Sequence, residues 1–476
     1  MAIEKIQFTG SSWCGILADD FTLPRCRVVS QAIAEHLVST GLQQKGILIG
    51  YDTRFMSERF AEECALICAA NGIPVYLSNR DAPIPAITFE INRRKAGCGI
   101  AVTAGQQLPY QSGLTLFSES GRPADQETIK LIETQANALW EKGNSLTLST
   151  HEQRDQGLVE NVDLRKSYLD DLKKRLDLDS IKKSKLRIAV DLFYGTAREY
   201  LDSMLQDAGC QTTIIHGHRD PLFGKQTLDF CHTHPDELSV LLKKGRFDFG
   251  IAIDAKAECF RILDAEGSLI QPHQILALIL DYLCRTRHWK GGAARSLATS
   301  HLIDAVAKKH GIEVYETGMG FKEIGDLLVQ GKILFGGEEN AGLTVKDHIP
   351  EKDGILACML VAECVAAERK SLKELLKQLS KEVGSISHTH VSVSFQETDR
   401  KSIQQRLNQP RNEFGGLRVK GKKTTADGIK YMLEDDSWVL IWIADKEPAA
   451  RVYAEGLSDE TVQALITAGH KIVCTK

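Results

Sequence analysis

A short β-branched run followed by an amphipathic helix is the rhythm that repeats along this chain. Residues 45–50 (KGILIG) read as a buried strand, and 57–71 as a helix with Phe60, Cys64, Leu66 and Ile67 on its apolar face. Residues 73–77 (IPVYL) form the next expected strand, 86–95 a helix, and 98–103 (CGIAVT) another strand. The alternation returns with strands at 186–192, 211–215 and 247–253 and a helix at 196–208. A third round runs through helices at 274–286 and 300–310 and strands at 296–298, 313–315 and 333–336. Such alternation implies α/β layers, with helices on both faces of a mixed sheet.

Three rounds at comparable spacing predict three similar α/β domains, with a charged helical stretch at 164–185 bridging the first two. The last part differs. Strands are expected at 388–395, 428–433, 438–442 and 450–453 and helices at 402–407 and 459–468, which makes a smaller α+β unit. The expected division is 1–155, 156–266, 267–382 and 383–476, four domains in 476 residues.

Composition narrows the function classes. Hydrophobic residues at 43% and charged residues at 26% are ordinary for a globular protein, and a net charge of −4 offers no global field for nucleic acid or an anionic membrane. No apolar stretch reaches the ~18 residues of a membrane span. The opening MAIEKIQFTG has no apolar h-region, so no secretory leader is expected. The 12 cysteines form no C-x-x-C pair, and Cys64 and Cys68 fall in a helical pattern as core thiols would, which fits a reducing cytoplasm. One cluster, His216, His218, Cys231, His232 and His234, carries metal-ligand chemistry, set against the frequency of histidine in ordinary loops.

Ordered markers then become recognisable: FTGSSWCGILADDFT from Phe8, GYDTR from Gly50, TAGQQLPYQSG from Thr103, DPLFG from Asp220 and GIAIDAKAECFR from Gly250. GFK from Gly320, GEENAG from Gly337, HIPEKDG from His348 and EPAARVYAE from Glu447 follow. Over essentially its whole length the chain resembles the α-D-phosphohexomutases, the phosphoglucomutases and phosphomannomutases. The resemblance implies three α/β domains and a smaller fourth around a central cleft. It also implies an isomerase of carbohydrate metabolism that moves phosphate between carbons 1 and 6 of a hexose through a phosphoserine, with magnesium, a proton acceptor and a distal phosphate clamp.

Each of those parts is altered here. The family's Thr-Ala-Ser-His-Asn-Pro loop becomes 103–109, with Gly105 at the phosphoserine position, and the neighbouring hydroxyls are Thr103 and Ser112. The lysine of Asn-Gly-x-Lys, assigned in the family to proton transfer, becomes Thr115. The metal loop Asp-Gly-Asp-Ala-Asp-Arg becomes 254–259, with Asp254, Lys256 and Glu258 at the ligand positions. Three hard carboxylates with a summed charge of −3 are reduced to −1. Either the Lys256 ammonium fills the metal's place between Asp254 and Glu258, or the loop is a drifted surface segment.

The sugar loop keeps Glu338 and has Glu339 and Asn340 beside it, retained for a sugar or for the fold. The phosphate clamp Arg-Pro-Ser-Gly-Thr-Glu-Pro becomes 442–448, with its arginine, serine, glycine and threonine gone and Asp445 adding an unfavourable anion; Lys446 and Arg451 are the candidate anion-binding cations that partly compensate. The arginine of the N-terminal loop is Cys14, and Cys14 and Cys259 are candidate redox-sensitive thiols. Lys322 and Arg54 remain as candidate anion-binding cations, with Asp52 as an alternative structural partner for Arg54.

Scaffold kept with chemistry lost is the pattern of a pseudoenzyme. The expectation is a protein without mutase catalysis or cofactor that binds a hexose phosphate, or a protein partner such as an active paralogue. The alternatives are an active, magnesium-dependent mutase with a relocated nucleophile, and an assembly subunit with a closed cleft. A homodimer follows from the resemblance alone; neither nucleic acid nor membrane is an expected partner.

Overall fold

A computed structural model describes residues 5–142, 157–225, 235–425, 428–444 and 448–474. In the first unit Ile47–Tyr51, apolar and largely buried on both faces, lies at the centre of a six-stranded sheet. The strands run in the order Ser12–Ile16, Gln111–Ser118, Cys98–Val102, Ile47–Tyr51, Val75–Ser78 and Val159–Val162. The pairs from Cys98–Val102 to Val159–Val162 are parallel, and Gln111–Ser118 returns antiparallel. Helices Leu23–Ser39, Ser57–Ala70, Ile84–Arg94 and Gln126–Glu141 cover it. The Ile84–Arg94 helix lies so close that a Cβ on Gly50 would stand 2.4 Å from Ile87 Cδ1.

The same topology is built twice more. In the second unit Phe260–Asp264, Phe249–Ile253, Arg187–Asp191 and Gln211–Ile215 stand in the corresponding order, and in the third Leu343–Val345, Ile333–Gly337, Gly292–Ser296 and Val314–Thr317. Each time a buried parallel strand leads into a loop and an antiparallel strand brings the chain back. Those three turns are 103–110, 254–259 and 338–342, so the sheet places all three altered loops at equivalent positions.

The fourth unit is a six-stranded antiparallel sheet ordered Ser387–Ser394, Ala449–Gly456, Trp438–Ile443, Gly428–Leu433, Leu417–Thr424 and Glu413–Phe414, with helices Arg400–Asn408 and Asp459–Cys474. It is joined to the third unit by buried polar contacts. Lys430, 1% exposed, donates to the Leu297 carbonyl at 2.9 Å and lies 3.1 Å from His301 Nε2 and 3.3 Å from Glu316. Glu455 accepts from the His301 N–H and from Trp438 Nε1. The helix Gly354–Glu368, buried on nearly every side, carries one core through the first three units. Asp353 caps it, accepting from the Leu356 N–H, Tyr168 Oη and His348 Nε2.

Some expected elements shift. The helix expected from 196 begins at Leu201, because both the N–H and the hydroxyl of Thr196 are held by the Ala255 carbonyl at 3.0 Å. The charged stretch is two helices, Arg165–Arg175 and Leu178–Ser184, separated by extended Leu176 and an Asp177 that caps the second. Among the described residues, no helix is long and apolar enough to cross a membrane.

Candidate functional site

The loop after Cys98–Val102 is shaped from beneath by Arg54. This side chain is fully buried, and its Nε donates to Asp52 at 3.1 Å. One terminal nitrogen donates to the carbonyls of Leu108 and Gln111, the other to those of Gly105 and Gln107. All five guanidinium N–H groups are thereby used within the first unit. Of the two expectations for Arg54, anion binding or a structural pair with Asp52, the geometry matches the second: the side chain is a staple for this loop. Thr103 donates to Asp52 at 2.6 Å and accepts from the Gly105 N–H at 3.1 Å, while the buried Ser112 Oγ has no hydrogen-bond partner among the described residues.

Gly105 takes a φ of +61°, the left-handed region in which only glycine is at ease. A Cβ built on it would stand 3.8 Å from both Cε and Nζ of Lys256, so the phosphoserine position of the resemblance faces the central position of the 254–259 loop. That loop is buried rather than a surface segment, and consecutive carbonyls are gripped by different units. Ala255 accepts from Thr196, Lys256 from the Ile84 N–H at 3.1 Å, and Ala257 from the Gly354 N–H at 2.9 Å.

The electrostatics of this loop are those of an internal ion cluster. The Lys256 ammonium pairs with Glu258, while Asp254 Oδ1 accepts from the backbone N–H groups of Glu258 and Cys259. Burial pushes the Asp254 carboxyl up to about 6, against the pull of Lys256. Burial would lower the Lys256 ammonium, but Glu258 and Asp254 carry it above the ordinary lysine value. Magnesium needs hard oxygens around one centre. Here a cation lies inside the carboxylate set, so the residues do not fit that ion. Among the described residues, no three or more His, Cys, Asp or Glu side chains are arranged to hold a metal.

The third unit adds a second cluster, in which Glu351 and Lys352, not singled out from the sequence, join Glu338, Glu339 and Asn340 of the sugar loop. Lys352 Nζ lies 3.2 Å from Glu338, and burial, outweighed by Glu338 and Glu258, leaves its ammonium well above the ordinary value. Glu339 accepts from Ser296 Oγ at 2.8 Å; burial and then the Glu338 charge raise its carboxyl to about 7. Burial raises Glu351 to about 7 as well, moderated by Lys352. Asn340 Oδ1 turns back to the Gly342 N–H at 2.9 Å and shapes its own loop. The sequence signal for Glu351 and Lys352 is the HIPEKDG marker from His348, whose place in the ordered series says nothing of their charges meeting Glu338 and Glu258.

Lys256, Glu258 and Lys352 line two openings of the cleft in common. A cavity of ≈ 670 Å³ brings Gly105, Thr115, Lys256, Glu258, Lys322 and Lys352 together beneath the hydroxyls of Thr9, Ser11 and Ser12. A second, of ≈ 580 Å³, brings Lys256, Glu339, Asn340 and Lys352 together with His390, Arg451 and Tyr453 of the fourth unit. His390 stacks on Tyr453 at 5.1 Å, and Arg451 lies over the Trp442 ring at 5.4 Å. Lys446 lies outside the described residues.

Outside the cleft, His216 sits between Asp191 at 2.9 Å and Glu237 at 3.2 Å. The Asp191 hydrogen bond raises its imidazole above the usual range, so both ring nitrogens are occupied by carboxylates rather than turned towards a metal. His218 meets the Tyr194 ring instead, and Cys231, His232 and His234 lie outside the described residues. Cys259 is buried in the second unit's core, which removes it as an exposed thiol. Burial raises the partly covered Cys14 to about 11, against the thiolate an oxidant would need.

Three family models match in order: phosphoglucomutase/phosphomannomutase alpha/beta/alpha domain I over 5–142, domain II over 166–267 and domain III over 271–383. The phosphoglucomutase/phosphomannomutase of Thermococcus kodakarensis is 26% identical over 459 residues, 96% of each chain. Phosphoglucomutase-like protein 5 of Mus musculus is 29% identical over 70% of this chain and 63% of its own. A Thermus thermophilus crystal structure carrying the phosphomannomutase name superposes with a TM-score of 0.83 at 28% identity, covering 99% of both chains. The pp63/parafusin structure from Paramecium, 21% identical with a TM-score of 0.82, shares the fold over 99% of this chain and 95% of its own. With the repeated sheet topology and the four-unit cleft, these matches make the chain a member of the α-D-phosphohexomutase family, the phosphoglucomutases and phosphomannomutases.

Proposed function

We propose that this protein binds a hexose phosphate in the four-unit cleft without transferring its phosphoryl group. The observation that carries the reading is the opposition of Gly105 and Lys256, where a phosphoryl carrier and a metal would meet. Phosphoryl transfer relies on positioning and on charge stabilisation around a nucleophilic oxygen. Position 105 supplies no oxygen. The Thr103 hydroxyl is spent on Asp52, and Ser112 is sealed in the core. Lys256 answers to Glu258, and Thr115 offers no base.

What supports binding is the polar lining that persists. Lys256, Lys322 and Lys352 present ammonium groups beside Thr9, Ser11 and Ser12 hydroxyls, a set suited to a phosphate and a polyol. Glu339 of the third unit and Arg451 of the fourth line the second cavity, which Lys256 and Lys352 also reach. Cavities of these sizes speak for an open cleft over an assembly subunit with a closed one. The division at 266 and 382 belongs to the same reading, each unit supplying one wall, while the first boundary, expected at 155, falls beyond Val159–Val162, which pairs with Val75–Ser78 in the first unit's sheet.

A coupled assay with glucose 1-phosphate and mannose 1-phosphate, magnesium and a bisphosphate primer tests the reading, with intact mass on the same sample. The expected outcome is no turnover and no phosphate adduct, with glucose 6-phosphate binding detected by calorimetry. Primer-dependent turnover with an adduct would replace it with an active mutase. No turnover together with no calorimetric signal would remove the ligand half of the proposal.

A further inference from the structure

Of the ten large apolar side chains exposed among the described residues, Ile16, Phe55, Leu108, Tyr110 and Leu222 gather around the outer end of the Gly105 loop. Exposed apolar residues scattered singly need no explanation, but a contiguous patch marks an interaction site. Backbone and guanidinium bonds fix these five in one frame. The Leu17 N–H donates to the Tyr110 carbonyl at 3.0 Å, and Ile16 pairs in register with Gln111. Arg54 holds the Leu108 carbonyl, and its own carbonyl, next to Phe55, accepts from Arg219 at 3.1 Å. Phe223, beside Leu222, lies 5.4 Å from the same guanidinium.

The rim sets the occupant. Arg219 is committed to Glu58 at 2.7 Å and the buried Arg25 to the Asp20 carbonyl at 3.0 Å. The Asp20 and Asp220 carboxylates, tied by the N–H groups of Ile16, Leu222 and Gly224 to the segments that carry the patch, stand with Asp19, close in chain to Ile16, against the ammonium of Lys225. We propose that this face docks a protein segment that is apolar on one side and cationic along its edges. A second copy meeting it by a two-fold axis would set the acidic rim against itself. An anionic membrane meets the same repulsion.

The probe is a short labelled helical peptide with Leu and Phe on one face and Lys on the other, followed by fluorescence anisotropy, with a Glu-for-Lys counterpart. The full chain is expected to bind the Lys peptide at least about tenfold more tightly than the Glu peptide, with affinity falling as salt rises. The double variant Phe55→Ser/Tyr110→Ser is expected to weaken binding by about tenfold or more. Leu222→Ser, on a separate loop, is the second variant should the first melt early. Equal binding of both peptides, no binding of the Lys peptide, or no loss in either variant overturns the proposal. So does a wild-type dimer that the variants abolish, which would make the second copy the occupant. None of the five residues lines the cleft cavities, so failure of the hexose-phosphate reading leaves this outcome independent.

Discussion

Lys430 Nζ lies 3.9 Å from the centroid of the Trp438 ring, with its ammonium inserted from the fourth unit against the Leu297 carbonyl of the third. Burial, then the neighbouring Arg295 charge, lowers it from 10.5 to about 8. Between those values the unfolded chain holds a proton that the folded chain has released, so stability from this residue rises with pH. The melting temperature of the wild type is expected to gain on that of Lys430→Met from about pH 8 to 10.5. Below that window the variant tests the lost contacts: an orphaned Leu297 carbonyl costs about 1–3 kcal/mol, read by urea denaturation.

Glu351 titrates in the opposite sense. With its folded value raised from 4.5 to about 7, the folded chain holds a proton that the unfolded chain has lost, so this residue's contribution declines as pH rises through that window. Glu351→Gln keeps the shape without the charge. It is expected to match the wild type near pH 4.5 and to be the more stable protein above about pH 7, in melts across that range.

Restoring a hydroxyl at 105 is not expected to restore chemistry. Gly105→Ser places a Cβ on a backbone with φ +61°, a strain of roughly 1–2 kcal/mol, and points it at the Lys256 ammonium. The expected result is a lower melting temperature, unchanged intact mass after incubation with glucose 1,6-bisphosphate, and no mutase turnover.

Lys256→Met strands Glu258 and Asp254 as buried carboxylates and is expected to cost about 3–5 kcal/mol. Adding Glu258→Leu to that variant recovers much of the loss if the pair acts as one internal ion cluster. A denaturation double-mutant cycle measures the coupling; additive losses would mean that the two side chains act separately.

Periodicity was enough to read the sheet units, because strands such as Cys98–Val102 and Phe249–Ile253 are buried on both faces and leave continuous apolar runs. It failed where tertiary contacts decide. Nothing local says that Thr196 gives its N–H and hydroxyl to Ala255 and so delays a helix. The strand Gln111–Ser118 was hidden because its residues were read as part of a loop motif. Motif comparison located Lys256 and Glu338. Glu351 and Lys352 acquire their place only when the third unit folds back over the second, and the task of Arg54 lies in carbonyls up to 57 residues away.

The grip on Ala255, Lys256 and Ala257 has a consequence for how the molecule comes apart. Three successive carbonyls of one loop are held by the second, first and third units in turn, so no unit can leave without unseating the loop for the other two. The three α/β units should therefore melt as one cooperative block despite being topological repeats. A ligand that tightens against Lys256 should raise the transition of the whole block, not only that of the wall it touches.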